Sequence, residues 1–191
     1  MPDISSDLVL FNELVEILMN EEKQHPVADR IESDELYNTI DLSLNKSAMV
    51  DDAFKSVLKE VIISTPKTAT NLFFNQLFGG RQGKAVLGDL LAVMLNNSMY
   101  TYKVAGPQVG IEQEIIRQSC NLIGYGAKSN GTFPTGGSMS NYMALVMGRD
   151  AKDSNFRAAG MSEPMTIYTS KESHYSNAKN ASFAGIGRNN I

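Results

Sequence analysis

The sequence is poor in the residues that build disulfides, metal centres and nucleic-acid surfaces. It has one cysteine, Cys120, so no disulfide can form within the chain, and this fits a reducing cytoplasm, the location we expect. Its histidines are far apart and no cysteine cluster accompanies them, so no metal site is expected. The net charge of −4 and the lack of a long basic run argue against nucleic-acid binding.

Long apolar runs are missing as well. No stretch approaches the roughly 20 consecutive apolar residues that span a bilayer, so we expect no membrane segment. The chain has 191 residues, of which 42% are hydrophobic and 20% charged. This is the composition of an ordinary globular protein, either one domain or part of a larger one.

Apolar residues recur at helical spacing along most of the chain. The pattern predicts helices over 7–20, 51–64, 84–97, 108–123 and 173–184, a weaker helical segment over 33–44, and a helix that ends near 149. A short β-branched run predicts one strand over 165–169. A parallel α/β sheet needs several strands, so a single strand indicates a fold that is unfinished in this chain.

Residues 131–141, GTFPTGGSMSN, place a pair of glycines and small hydroxyls directly before a helix. Gly136 and Gly137 let the main chain approach a ligand closely, and the helix N-terminus offers unpaired N–H groups to an anion. The pattern lacks the lysine of a Walker loop and the spacing of a dinucleotide-binding motif. A plain turn with a capping serine has the same appearance. Spacing alone leaves both interpretations open.

His174 follows the predicted strand and begins a helix, in KESHYSNAKNA. Ligands of open α/β sheets bind beyond the carboxyl ends of the strands, so His174 lies where a ligand-facing residue is expected. An ordinary residue at the start of a helix is the alternative, and position alone does not decide between them. The other histidine, His25, lies in a polar stretch before Pro26 and is expected at the surface.

Four blocks of the sequence resemble, in order, the group II pyridoxal-phosphate-dependent amino acid decarboxylases: FFNQLFGG (73–80), TYKVAGPQVGIEQEIIR (101–117), GTFPTGGSMSNYMAL (131–145) and SHYSNAKNASFAGIG (173–187). The resemblance runs from about residue 35 to 191. It implies an α/β protein with the type I pyridoxal-phosphate-dependent transferase fold (aspartate aminotransferase-like), incomplete in this chain. Residues 1–65 would form a helical N-terminal segment, and 66–191 the first part of the large cofactor-binding domain.

The resemblance implies pyridoxal 5′-phosphate as the cofactor and assigns residues to it. Gly136, Gly137 and Ser138 would hold the phosphate. Asn141 would lie one turn into the following helix and support that loop. His174 would stack on the pyridine ring as a catalytic residue, because two flat aromatic systems bury well face to face.

The resemblance also implies the reaction, which is α-decarboxylation of an L-amino acid by a dimer or higher assembly. The block around FFNQL is most similar to the glutamate and cysteine sulfinate branch, so an acidic substrate such as glutamate is expected. Gln76, Phe74 and Tyr102 would contact it. Two departures from the family pattern stand nearby, since Lys103 replaces the usual acid and Asn71-Leu72 replaces a His-Pro pair.

Two residues that the family's chemistry needs are not expected in this chain. A lysine forms the Schiff base, and an aspartate keeps the pyridinium nitrogen protonated. The resemblance places both beyond the last block, the lysine directly after a histidine, and the sequence has no His-Lys dipeptide. Lys171 and Lys179 are expected at the surface. Either the remainder of the enzyme or a second chain supplies the lysine, or the chain is a non-catalytic truncated homologue or regulatory subunit that pairs with a full-length decarboxylase.

Overall fold

The chain folds into helices joined by irregular segments. A computed structural model describes residues 4–27, 31–44, 47–75 and 77–191. The chain divides into two compact units, Met1–Leu95 and Asn96–Ile191. The domain boundary expected at 65/66 stays a prediction.

The first unit contains four helices in its described part: α1 (Ser5–Gln24), α2 (Leu36–Thr39), α3 (Asp51–Ser64) and α4 (Gly83–Leu95). Helix α1 packs against α3, and an ion pair between Lys55 and Glu13 joins the two helices. Helix α4 carries seven large apolar side chains, and none of its residues is buried. Its apolar surface is therefore unused within this unit.

Lys67 closes the C-terminal end of α3. Its side chain is only 4% exposed. The ammonium group donates to the carbonyl oxygens of Ile62, Ile63 and Thr65 at 2.7, 2.6 and 2.9 Å. These carbonyls lie at the end of a helix, where no further turn can satisfy them, so the lysine replaces the missing donors.

The second unit contains α5 (Tyr102–Ala105), α6 (Pro107–Leu122), α7 (Gly137–Lys152), α8 (Phe156–Ala159), α9 (Ser176–Phe183) and a final 3₁₀ turn (Arg188–Asn190). Helix α7 packs against both α8 and α9. The contact with α9 is continued by Ala181, Ala184 and Ile186, which are 0%, 1% and 4% exposed. These small side chains form the best-buried apolar cluster of the unit.

Arg149 fastens the C-terminal half of α7 to its neighbours. Its Nη1 donates to the carbonyl oxygen of Ala184 at 2.8 Å. The guanidinium also forms an ion pair with Asp150 at 2.8 Å, and its central carbon lies 4.0 Å from the centroid of the Phe156 ring. One side chain thus joins α7, α8 and the end of α9.

The predicted helices are confirmed with small shifts of their ends. The weaker helical segment predicted over 33–44 contains only the single turn of α2, and α5 is a short helix in a stretch where no helix is predicted. None of the helices in the described ranges is long and apolar enough to cross a membrane.

The strand predicted over 165–169 is wrong for this chain. A strand needs repeated backbone hydrogen bonds to a neighbouring strand. In the part of the chain that the structure describes, this segment makes one such bond, from Ile167 N to the carbonyl oxygen of Asn190 at 2.8 Å, and the acceptor belongs to a 3₁₀ turn. Exposure nevertheless alternates with the period of a strand, since Met165 and Ile167 are half-buried and Thr166 and Tyr168 are exposed.

The chain exposes far more surface than its mass predicts. Its accessible area is 15440 Å² for 20.9 kDa. Two separate globular proteins of half this mass would together expose about 11,000 Å². Much of the excess is apolar, because most of the large side chains on α4 and many on α1 and α6 are exposed.

Candidate functional site

The N-terminus of α7 presents free hydrogen-bond donors. Gly136 caps the helix without a side-chain hydrogen bond, and its carbonyl accepts from Met139 N and Ser140 N, both at 3.0 Å. The backbone N–H groups of Gly137 and Ser138 have no acceptor among the described residues. No serine side chain therefore caps this helix end, so the capping hydrogen bond of the plain-turn interpretation is not formed. Two unpaired N–H groups at a helix N-terminus favour an anion.

The space in front of this glycine pair is open. A Cβ atom built on Gly136 or on Gly137 meets nothing within 4 Å. Packing within the chain therefore does not require glycine at either position. A phosphate group would fit there, because it needs both the open space and the unpaired N–H groups.

A buried serine connects α7 to the histidine. Ser176 is 0% exposed, and its Oγ accepts a hydrogen bond from Asn141 Nδ2 at 2.9 Å. The same Oγ lies 2.8 Å from His174 Nδ1, and the backbone N–H of Ser176 donates to this Nδ1 at 3.2 Å. His174 is an exposed residue, and its ring lies 4.3 Å from the Tyr175 ring, measured between centroids.

A second amide side chain joins α9 to the start of α7, next to the glycine pair. Asn180 is 4% exposed, and its Nδ2 donates to the carbonyl oxygen of Ser138 at 2.8 Å. One pair of packed helices, α7 and α9, thus carries both parts of the predicted site. These parts are the loop residues expected to hold a phosphate and the histidine expected to stack on a ring. The predicted group of Gly136, Gly137, Ser138, Asn141 and His174 is brought together by this contact, although the Asn141 amide is used on Ser176 rather than on the loop.

Glu112 on α6 holds the segment that leads into the loop. Its Oε1 accepts from Thr132 Oγ1 and from Phe133 N, both at 3.2 Å. These bonds fix the backbone immediately before Pro134 and the glycine pair. The carboxylate therefore positions the loop without contacting the space in front of it.

Two of the three residues predicted to contact the substrate are described by the structure, and both are exposed. Tyr102 is 71% exposed on α5, and Phe74 is 90% exposed in the first unit. Gln76 lies outside the described residues. Their roles stay predictions. Within the described ranges no group of histidine, cysteine and carboxylate side chains could hold a metal ion.

A separate groove of about 580 Å³ lies beside α7. Its walls are the helix face of Ala144, Leu145 and Gly148 and the irregular segment 164–168. It shares only Asn141 with the group described above, and it does not include the glycine pair. We therefore do not assign the phosphate to this groove.

The comparison with models of protein families shows to which family the chain belongs. Residues 35–191 match the model described as the pyridoxal-dependent decarboxylase conserved domain. The chain belongs to this family. Pyridoxal 5′-phosphate is the family's cofactor, and the glycine pair with its free N–H groups suits the phosphate of that molecule.

Several members of the family are similar to this chain along most of its length. Cysteine sulfinic acid decarboxylase of Mus musculus is 33% identical over 180 residues, which cover 92% of this chain and 36% of that protein. Acidic amino acid decarboxylase GADL1 of Xenopus tropicalis is 29% identical over 197 residues, which cover 99% of this chain and 38% of that protein. The crystal structure of mouse CSAD superposes with a TM-score of 0.90 at 29% identity, over 99% of this chain and 42% of that one.

The chain thus spans 36–42% of the length of these family members. Its fold is that of the corresponding part of mouse CSAD. This partial coverage agrees with the large exposed area and the unpaired segment 165–169 described above.

Sequence reasoning missed the polar residues that hold the site together. Ser176 and Asn180 stand four residues apart in α9, so they share one helix face, and both are buried. Small polar residues recurring at helical spacing beside a candidate histidine were the available signal. The sequence predicts only the helix that contains Ser176 and Asn180, because the pattern of a short helix does not show which of its faces is buried.

Proposed function

We propose that this chain is the N-terminal part of a decarboxylase that removes the α-carboxylate of an acidic L-amino acid, glutamate first among the candidates. The observation that carries the proposal is the α7 N-terminus, where two free N–H groups and open space stand beside the histidine fixed by α9. Membership of a pyridoxal-dependent family gives this arrangement a ligand with a phosphate at one end and an aromatic ring at the other.

The chain's own residues bind and orient in this proposal. The N–H groups of Gly137 and Ser138 would bind the phosphate, with Gly136 leaving room for it. His174 would stack on the pyridine ring and would be available to hydrogen-bond the substrate carboxylate. When bound, the cofactor supplies the electron sink that lets the α-carbon lose carbon dioxide and take up a proton.

An acidic substrate is the finer part of the proposal. The supporting observations are the FFNQL block and the names of two similar proteins, a cysteine sulfinic acid decarboxylase and an acidic amino acid decarboxylase. Gln76, Phe74 and Tyr102 are the residues that we expect to contact it. A basic side chain for the distal carboxylate is expected from outside this chain.

The proposal includes completion of the site by further polypeptide. The type I α/β fold needs a sheet, and the alternating segment 165–168 has the exposure pattern of one of its strands. The exposed apolar side chains of α4 support burial of this helix by the remainder of the enzyme or by a dimer partner. The remainder of the enzyme or a second chain would carry the Schiff-base lysine, and the assembly would be a cytoplasmic homodimer or larger.

The test uses the complete gene product, with any chain that purifies with it. A visible absorbance spectrum is recorded before and after borohydride, and carbon dioxide release is measured from L-glutamate, L-cysteine sulfinate and L-2,4-diaminobutyrate. We expect a long-wavelength band that borohydride bleaches, and faster release from the two acidic substrates. Faster release from diaminobutyrate would contradict the substrate assignment while leaving the decarboxylase intact.

The second candidate is a non-catalytic homologue that pairs with a full-length decarboxylase. It predicts no bleachable band in the purified gene product, even after addition of pyridoxal 5′-phosphate. That result would overturn the catalytic proposal.

A further inference from the structure

We propose that Ser176 is a positioning residue that fixes the tautomer of His174. The inference rests on the proposed function for its consequence, but not for its geometry. Ser176 is fully buried beneath the histidine, and it places two groups near Nδ1, its own backbone N–H at 3.2 Å and its Oγ at 2.8 Å. No other residue in the described ranges contacts a ring nitrogen of His174.

The direction of each hydrogen bond follows from the donors. A backbone N–H can only donate, so its contact at 3.2 Å favours a bare Nδ1 without enforcing it, and the closer hydroxyl at 2.8 Å is the second group that can donate to the same lone pair. A proton on Nδ1 would point at this N–H and at the hydroxyl together. The neutral ring therefore carries its proton on Nε2.

Asn141 hydrogen-bonds the oxygen of the same serine hydroxyl. Its Nδ2–H donates to Ser176 Oγ at 2.9 Å, so the oxygen is an acceptor on that side. The hydroxyl proton is then free to point at His174 Nδ1, which is 2.8 Å away. The three side chains form a hydrogen-bonded chain from Asn141 through Ser176 to His174.

The consequence is a ring edge that donates rather than accepts. With Nδ1 occupied by Ser176, the Nε2–H is the polar atom that His174 leaves for a ligand. A donor at this edge suits the carboxylate of an amino acid substrate, whereas a bare Nε2 would repel it. Ser176 would act through His174 without touching substrate or cofactor.

The test measures the tautomer directly in the complete protein. Magic-angle-spinning NMR of ¹⁵N-histidine-labelled protein gives separate signals for protonated and bare ring nitrogens, and the His174 signals are assigned by their loss in His174→Gln. We expect a bare Nδ1 and a protonated Nε2. A protonated Nδ1 in the unchanged protein would overturn the inference without any variant.

Ser176→Ala removes the shorter of the two contacts with Nδ1. A population with a protonated Nδ1 should appear, and KM for the amino acid should rise about tenfold with a smaller change in cofactor affinity. Ser176→Thr keeps the hydroxyl and should restore the single tautomer. Ser173→Ala is the matched control, since its hydroxyl donates to the carbonyl oxygen of Ser170 at 2.8 Å and does not contact the ring.

The outcomes separate this inference from the proposed function. Unchanged His174 signals in a folded Ser176→Ala protein would refute the positioning role, even if decarboxylation is found. A tautomer that responds to Ser176 in a protein without decarboxylase activity would leave the positioning role standing and remove the proposed reaction. Equal effects of Ser173→Ala and Ser176→Ala would assign both to general disturbance of the loop.

Discussion

Gly137→Ala should change folding stability and phosphate binding in opposite directions. The residue is the first of α7, and a Cβ built on it meets nothing within 4 Å. Alanine fits this backbone and restricts the unfolded chain, so the free energy of unfolding should rise by about 0.4–1 kcal/mol. The same methyl group would enter the open space in which we place the phosphate.

The binding loss follows from the hydrogen bonds at stake. A hydrogen bond to a charged group contributes about 1.5–3 kcal/mol. If the methyl group displaces the phosphate from one N–H, affinity should fall by about 10- to 150-fold. Pyridoxine 5′-phosphate and pyridoxine are suitable probes, because neither can form a Schiff base. Calorimetric titration of the cofactor-free complete protein should show the loss for the phosphate ester alone.

The control for this change is Gly110→Ala, another helical glycine with nothing within 4 Å of its built Cβ. It should raise stability by a similar amount and leave both probes unaffected. Unchanged affinity of Gly137→Ala for pyridoxine 5′-phosphate would refute the assignment of the phosphate to this loop. An equal loss for pyridoxine would point instead to a disturbed ring site.

Three further changes test contacts elsewhere in the second unit. Arg149→Ala should lower the free energy of unfolding by about 2–3 kcal/mol in urea, and exposed Arg157→Ala by under about 0.5 kcal/mol, so equal losses would contradict the fastening role. Glu112→Ala should weaken pyridoxine 5′-phosphate binding about tenfold, whereas Glu112→Gln keeps Oε1 and should bind normally; a weak Gln variant would show that charge matters instead. Hydrogen bonds, first from Arg117, lower the pKa of Glu114 from 4.5 to about 2. The ionised Glu114 therefore contributes to folding stability above pH 4.5, and this contribution is lost as the pH falls from 4.5 to about 2. In Glu114→Gln the thermal midpoint should depend less on pH between these two values, as measured by thermal unfolding at a series of pH values.

Periodicity alone predicted the helices because their apolar residues keep a 3.6-residue repeat. The error at 165–169 has a different origin. Composition and alternation in this segment are those of a strand, and exposure in the structure follows the same alternation. Pairing depends on a second segment with matching hydrogen-bond groups, which a local pattern cannot supply.

The candidate site was predictable in its outline and not in its connections. The spacing of residues around the glycine pair fits both a plain turn and a phosphate-binding loop. The four ordered blocks that resemble the decarboxylase family favour the phosphate-binding loop. The bonds of Ser176 and Asn180 could not be predicted, because they depend on how α9 is rotated against α7. Ala181 and Ala184, at the end of α9, have small side chains and are almost fully buried.

The two amides that cross from α7 to α9 have an energetic consequence. Asn180 donates to the carbonyl oxygen of Ser138, and Asn141 donates to the serine that contacts His174, so both ends of the site are attached to one packed pair of helices. A ligand that orders one end lowers the entropic cost of ordering the other. Binding of inorganic phosphate and of a ring compound without phosphate should therefore be mutually favourable, each raising the affinity of the other by the same factor.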